Sequence, residues 1–358
     1  MNYKQLKRQF ILRTFRRKAT PKIRIDERVA TGLAAVGAIG VSLAAGLFLY
    51  NRFFTPRKSQ LMPAIEARQT HVTLPTTGTV AYYADTTALG RPLVLVHSIN
   101  AGASAYEMRP LFERFRGTRP VYALDLPGFG FSERSDRRYS PELYTRALIE
   151  FMEQEVGQPA DVVALSLGSE FAAAAALHRP DLFETLTMIS PSGLAGEDKK
   201  KASQKASATG KSERAYQWLS FPLWSQLIYD LLTTRASIRA FLKMSFVGDP
   251  PEELVEYDYA TTHQPGAKYA PLYFVSGQLF TPDIRQSVYE KLELPVLVIY
   301  DQDPFVNFDM LPHMIQQRPN WNERRITPTM GLAHWDMTDA TVSALESFWN
   351  VLTPTNSR

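Results

Sequence analysis

Ser166 is the residue of this 358-residue chain best placed to do chemistry. It follows the apolar run Val162-Val163-Ala164-Leu165 and precedes Leu167-Gly168-Ser169, with an alanine-rich stretch from Glu170 to His178 behind it. The run reads as a buried strand and the stretch as a helix, so the chain must reverse direction sharply at the serine. Ala164 and Gly168 flank it at two residues on either side, and both are small where two backbones have to approach closely. This is the Gly-x-Ser-x-Gly elbow with Ala164 in the first glycine position, a geometry that holds a hydroxyl clear of a sheet and near a helix N-terminus. A serine hydroxyl at its ordinary pKa is a weak nucleophile. It needs a base within hydrogen-bond reach and donors for the developing oxyanion, and with both it performs acyl transfer through a covalent intermediate.

The neighbouring segments supply the elements that would position it. Residues 92–97, Pro-Leu-Val-Leu-Val-His, form a short continuous apolar run, as expected of a strand buried on both faces. The run ends in the small, polar loop His97-Ser98-Ile99-Asn100-Ala101-Gly102, and a helix is expected to follow through Phe115. A second strand over 120–126 leads into Asp125-Leu126-Pro127-Gly128-Phe129-Gly130-Phe131-Ser132. The spacing predicts a helix over 142–155 and strands over 186–189, 294–300 and 324–328. Strands alternating with helices at this interval imply right-handed crossovers and a mostly parallel α/β sheet.

The order of these motifs resembles the α/β-hydrolase fold family, over roughly residues 72–350. The resemblance implies helices on both faces of the sheet and a helical cap inserted into it. It also implies the remaining site residues. The family's acid lies just past a late strand, which Asp303 matches, in Asp301-Gln302-Asp303-Pro304 after Tyr300; Asp301 is the alternative acid. The family's histidine loop matches Gly331-Leu332-Ala333-His334-Trp335, making His334 the base, and Ser166, Asp303, His334 is the family's chain order. The oxyanion donors would be the N–H groups of Leu167 and of Ile99, with Ser98 as the alternative to Ile99. Where the family commonly has His-Gly, this chain has His97-Ser98. Serine in place of aspartate at position 166 disfavours dehalogenase and epoxide hydrolase chemistry.

The other candidates have plainer readings. His71, His178, His263 and His313 read as surface residues, and His97 as support for the oxyanion loop. Asp125 reads as a brace for the loop that follows it. No histidine pair has ligand spacing and the chain has no cysteine, so neither a metal, a cofactor, a disulfide nor thiol catalysis is expected. Gly128-Phe129-Gly130 lacks the rest of a phosphate loop, which argues against nucleotide binding. About a hundred residues separate the strands ending at Ile189 and starting at Leu294. Their Trp218, Phe221, Trp224, Leu227, Ile228, Leu231 and Leu232 recur at helical spacing, as a lid over a lipophilic ester or as ordinary helical core.

The N-terminus carries a second message. Residues 29–50 are 22 residues without a charge, enough to span ~30 Å of hydrocarbon as a helix. Ten Lys/Arg against two acids precede this run, placing the N-terminus in the cytoplasm and the hydrolase domain on the far face of the membrane. Residues 1–58 carry +11 and the remainder −7, so the basic balance belongs to the anchor and gives no reason to invoke nucleic acid. The expected organisation is a basic cytoplasmic segment (1–28), a single transmembrane helix (29–50), a linker (51–71), core (72–191), cap (192–290), core (291–352) and tail (353–358). The expected function is a membrane-anchored serine hydrolase of a lipophilic carboxylic ester. The alternatives are an acyltransferase or C–C bond hydrolase using the same three residues, or a non-catalytic binding protein that keeps the fold.

Overall fold

The computed structural model describes residues 45, 46, 49, 60–196 and 209–352. The chain divides into two units, Met1–Tyr50 and Asn51–Arg358, and the second contains the sheet. The basic segment and nearly all of the expected membrane span lie outside the described residues. Among the described residues no helix is long and apolar enough to cross a membrane.

Eight strands form one sheet: β1 (Arg68–Leu74), β2 (Gly78–Asp85), β3 (Leu93–Val96), β4 (Val121–Leu124), β5 (Ala160–Leu165), β6 (Phe183–Ile189), β7 (Val296–Tyr300) and β8 (Trp321–Arg325). Their spatial order is β1-β2-β4-β3-β5-β6-β7-β8. β2 pairs antiparallel with β1 and β4, and every other pairing is parallel. Side chains alternate across the central strands. Val94, Val96, Val162 and Ala164 join one core layer, while Leu93, Leu95, Val163 and Leu165 join the other. Both faces are therefore covered, which is why these strands read as unbroken apolar runs. Helices α1 (Arg109–Phe115), α2 (Pro141–Phe151) and α3 (Gly168–His178) connect the first half of the sheet.

Between β6 and β7 lies the cap, with α4 (Thr209–Leu219), α5 (Ser225–Leu232), α6 (Arg235–Lys243), α7 (Glu252–Thr262), α8 (Tyr269–Val275) and α9 (Ile284–Ser287). The chain then completes the sheet with α10 (Leu311–Gln317) before β8, and ends in α11 (Ala333–Asp336) and α12 (Thr338–Leu352).

Three expectations are corrected. The sheet begins at Arg68, inside the segment read as linker. There β1 turns back through Pro75-Thr76-Thr77 into β2, and the antiparallel pairing runs from Leu74↔Gly78 out to Arg68↔Ala84. The mixed polar and apolar residues of β1 bury only Leu74, which leaves no apolar run to mark the strand. The last strand is Trp321–Arg325 and not 324–328; its exposed polar side chains hide it from a hydrophobicity reading, and its pairing with β7 runs Val296↔Trp321 to Tyr300↔Arg325. The reading of the cap's apolar run as ordinary helical core does not hold along the whole run. The helix breaks between Leu219 and Ser225, and Trp218, Phe221, Leu231 and Leu232 are exposed.

Candidate active site

The elbow has the backbone its sequence demands. Ser166 lies between β5 and α3 with φ +49°, the left-handed region that a non-glycine residue occupies only under constraint. Its N–H donates to the Ile189 carbonyl at the end of β6. A Cβ on Gly168 would lie 2.3 Å from the His97 carbonyl oxygen, so only glycine lets α3 start this close to the end of β3. On the other side Ala164 is paired with Val96 and fully buried, so a methyl group fits where the usual motif has glycine.

Ser166 opens into a cavity of about 270 Å³ whose lining includes Ser98, Ile99, Glu107, Leu167 and Asp303. Phe241 and Leu242 of the cap, with Phe274, Phe280, Phe305 and Leu332, make most of its remaining wall apolar. Of the expected oxyanion donors, the N–H groups of Leu167 and Ile99 donate to no acceptor among the described residues. Ser98 is different, and its expected role is corrected: its N–H donates to Glu107 Oε2 at 2.8 Å and is no longer available.

The two candidate acids separate clearly. Asp301 accepts from Arg325 Nε at 2.7 Å and from the Thr329 N–H at 3.1 Å. Burial alone would raise its pKa, but the Arg325 guanidinium and the Thr329 amide outweigh it and hold the carboxyl below its ordinary value. Asp303 faces the cavity. Its Oδ1 accepts from the N–H groups of Phe305 and Val306, and its Oδ2 packs so closely on Gly331 that a Cβ there would lie 2.7 Å away. Burial raises its pKa, while those two amides and the nearby Ser190 hydroxyl pull the other way.

His334 is fully buried in α11, and its Nε2 donates to the Glu107 carbonyl at 2.8 Å. A carbonyl can only accept, so the ring's lone pair sits on Nδ1, which has no hydrogen-bond partner. The structure thus places Asp303 against the histidine loop without a hydrogen bond between Asp303 and His334, and Ser166 likewise makes none to the ring. Burial pushes the His334 pKa down to about 4, so the ring is neutral at pH 7 and able to accept a proton. His97 cannot substitute for it. Its Nδ1 bonds the Ser98 carbonyl and its Nε2 accepts the Leu126 N–H, which commits both nitrogens.

Sequence reasoning passed over Glu107 and Asn100. Glu107 is 4 % exposed, accepts from Ser98 and Asn100, and has its pKa pushed up to about 7 by burial. The available signal was a lone acid within Ala105-Tyr106-Glu107-Met108, an otherwise apolar stretch beside the loop. Asp125 does brace its loop, accepting from the N–H groups of Ala105 and Phe131.

Residues 93–344 match the sequence profile of the alpha/beta hydrolase family. A 2-hydroxymuconate semialdehyde hydrolase from Pseudomonas sp. (strain CF600) is 28% identical over 107 residues, which is 29% of this chain and 38% of that protein. The uncharacterized hydrolase YugF of Bacillus subtilis (strain 168) is 32% identical over 118 residues, 32% of this chain and 42% of that protein. The matches thus span about two fifths of the length of these curated relatives. Among solved structures, a thermophilic esterase from Thermogutta terrifontis superposes with a TM-score of 0.56 at 17% identity, covering 79% of this chain and 98% of that one. With more than half of its length matched by the family profile, and with the strand order and elbow described above, the chain belongs to the α/β-hydrolase family.

Proposed function

We propose that this protein is a serine esterase that cleaves a lipophilic carboxylic ester through an acyl-enzyme. The observation that carries the reading is Ser166, held at φ +49° on the elbow and open to an apolar cavity beside the undonated N–H groups of Ile99 and Leu167. Those two amides would receive the oxyanion when the Ser166 oxygen attacks the ester carbonyl. His334 would take the hydroxyl proton and return it to the departing alcohol, and water would then repeat the sequence to release the acid. For this the imidazole must turn away from the Glu107 carbonyl and move its proton from Nε2 to Nδ1, so that Nδ1–H can face Asp303 while the freed Nε2 lone pair faces the Ser166 hydroxyl. Trp335 Nε1, which donates to the same carbonyl at 2.7 Å, remains as the anchor of the loop.

The phenylalanines of the wall favour an apolar acyl or alcohol group, since binding there removes apolar surface from water. The uncharged run over 29–50 supports a tether to the bilayer with the hydrolase domain outside the cytoplasm. Protease protection of the N-terminus in sealed vesicles would test that arrangement. The relative named for a semialdehyde hydrolase favours a second reading, carbon–carbon bond hydrolysis by the same serine.

The test is hydrolysis of p-nitrophenyl esters of increasing acyl length by the full-length protein in detergent, with fluorophosphonate labelling alongside. Turnover should favour the longer acyl chains, and Ser166 should carry the label. Ser166→Ala should lose at least about 10⁴-fold in kcat. An unlabelled Ser166 in folded protein would instead mark a binding protein that keeps the fold, and cleavage of a vinylogous diketone without ester turnover would favour the carbon–carbon reading. Ester formation when an alcohol is added would indicate acyl transfer.

A further inference from the structure

We propose that Glu107 is a positioning residue, one that aims the Ile99 N–H into the cavity by clamping the loop on either side of it; the inference rests on the serine-hydrolase reading of this site. The Glu107 carboxylate spans the loop. Oε2 accepts the Ser98 N–H at 2.8 Å, and Oε1 accepts the Ser98 hydroxyl at 2.9 Å and Asn100 Nδ2 at 2.7 Å. Asn100 in turn accepts the Gly102 N–H through Oδ1 at 2.7 Å, closing the loop on itself. Ile99 lies between the two clamped residues, and its own amide is left undonated. A short loop fixed immediately before and after a residue has little freedom to rotate the peptide between them, and an oxyanion donor must be fixed in direction before the charge develops.

The clamp is itself held. Glu107 sits on the 3₁₀ turn Ala105–Met108, whose first N–H donates to the Asp125 carboxylate at 2.8 Å. Its own carbonyl receives His334 Nε2 and Trp335 Nε1. One turn therefore contacts the oxyanion loop through a side chain and the histidine loop through the backbone.

No cation pairs with this carboxylate among the described residues. The acid nearest in electrostatic effect is Asp258 of α7, which packs against Gly102 and whose carboxyl is held well above its ordinary pKa by burial and, second, by Glu107. A buried acid with a second acid nearby is a costly way to pack a loop, since an apolar side chain of the same volume would fill the space without the desolvation penalty. What an apolar residue cannot do is accept hydrogen bonds from both sides of Ile99.

The experiment measures kcat and KM per fluorophosphonate-titrated Ser166 in wild type, Glu107→Gln and the double variant Ser98→Ala/Asn100→Ala. Gln places an NH₂ against one of the donors, and the double variant removes both side-chain donors while keeping the carboxylate. Glu107→Gln should lower kcat by at least about tenfold with KM within about twofold, the signature of a contact that matters in the transition state. Affinity for a trifluoromethyl ketone analogue should fall by the same factor as kcat/KM. The double variant should show a smaller loss of the same kind, and it carries the test if Glu107→Gln does not fold. A merely structural role would lower thermal stability and the fraction of titratable sites but leave kcat per site unchanged, and that result in the folded variants overturns the inference. Wild-type protein that neither turns over substrate nor labels at Ser166 overturns the serine-hydrolase reading and this inference with it.

Discussion

The elbow helix α3 and the cap helices pack by opposite rules. In α3 eight residues from Gly168 to Ala176 are buried, most of them alanine, glycine or serine, and the helix lies against the sheet with little side-chain thickness between. In the cap, Trp218, Phe221, Leu231 and Leu232 are large, apolar and exposed, and the rings of Trp218 and Phe221 both rest on Trp224. The first region fixes atoms, because a close backbone contact has nowhere to relax. The second leaves large apolar side chains facing outward around a small cluster of rings. Glu170 joins the two, accepting the Ser192 hydroxyl at the cap's entry and the Thr281 N–H near its exit.

The strongest way to break this contrast is at Gly168. Gly168→Val would drive side-chain carbon into the His97 carbonyl, a backbone atom that can move only by shifting β3. We expect at least about 1–3 kcal/mol of lost stability, by analogy with overpacked cores, together with loss of fluorophosphonate labelling. Urea denaturation and labelling check both; a variant as stable and reactive as wild type would show that α3 is not held at close contact.

A smaller effect is expected at the seam. Burial pushes the Glu170 carboxyl up from 4.5 to about 7. With its folded pKa raised, the folded chain holds a proton that the unfolded chain has released. The stabilisation is complete below pH 4.5 and is lost as pH rises through 7. Glu170→Gln removes that titration. Relative to wild type, the variant should therefore gain stability from pH 4.5 up to about pH 8, by up to roughly 3 kcal/mol, read from urea midpoints at each pH. A difference that stays flat with pH would mean Glu170 is not held in its neutral form.

These two regions also differ in how much of them could be read in advance. The elbow was legible because sterics dictate it: a buried strand, a serine between small residues, and a helix leave few alternatives. Asp303 and His334 were legible only through family resemblance, since 31 positions separate them and no local pattern links them to Ser166. Glu107 was hidden for a related reason. Its carbonyl meets His334 across 227 positions of sequence, and its carboxylate meets a loop with no charge to advertise the contact. The polar edge strand β8 was read three residues too late because it buries little besides Trp321. In the cap, aromatic residues at helical spacing look the same in sequence whether they face a core, a cavity or solvent.

The smallest expected change is also the one that most sharpens the contrast. Phe241 of α6 stacks on Phe305 of the core at 5.1 Å between ring centroids, and both line the cavity while remaining partly exposed. The pair bridges cap and core at the mouth, so Phe241→Ala should widen the opening without disturbing the elbow. Because the ring is 37% exposed, little buried core is lost, and thermal stability should change slightly. Substrates that use the apolar wall should suffer instead. KM for long-chain esters should rise by about three- to tenfold, the worth of one aromatic contact, while acetyl esters and the rate of Ser166 labelling stay near wild type. An equal loss for short and long esters would place Phe241 with the machinery that fixes atoms, and the division between a rigid floor and a selective cover would fail at the residue where the two meet.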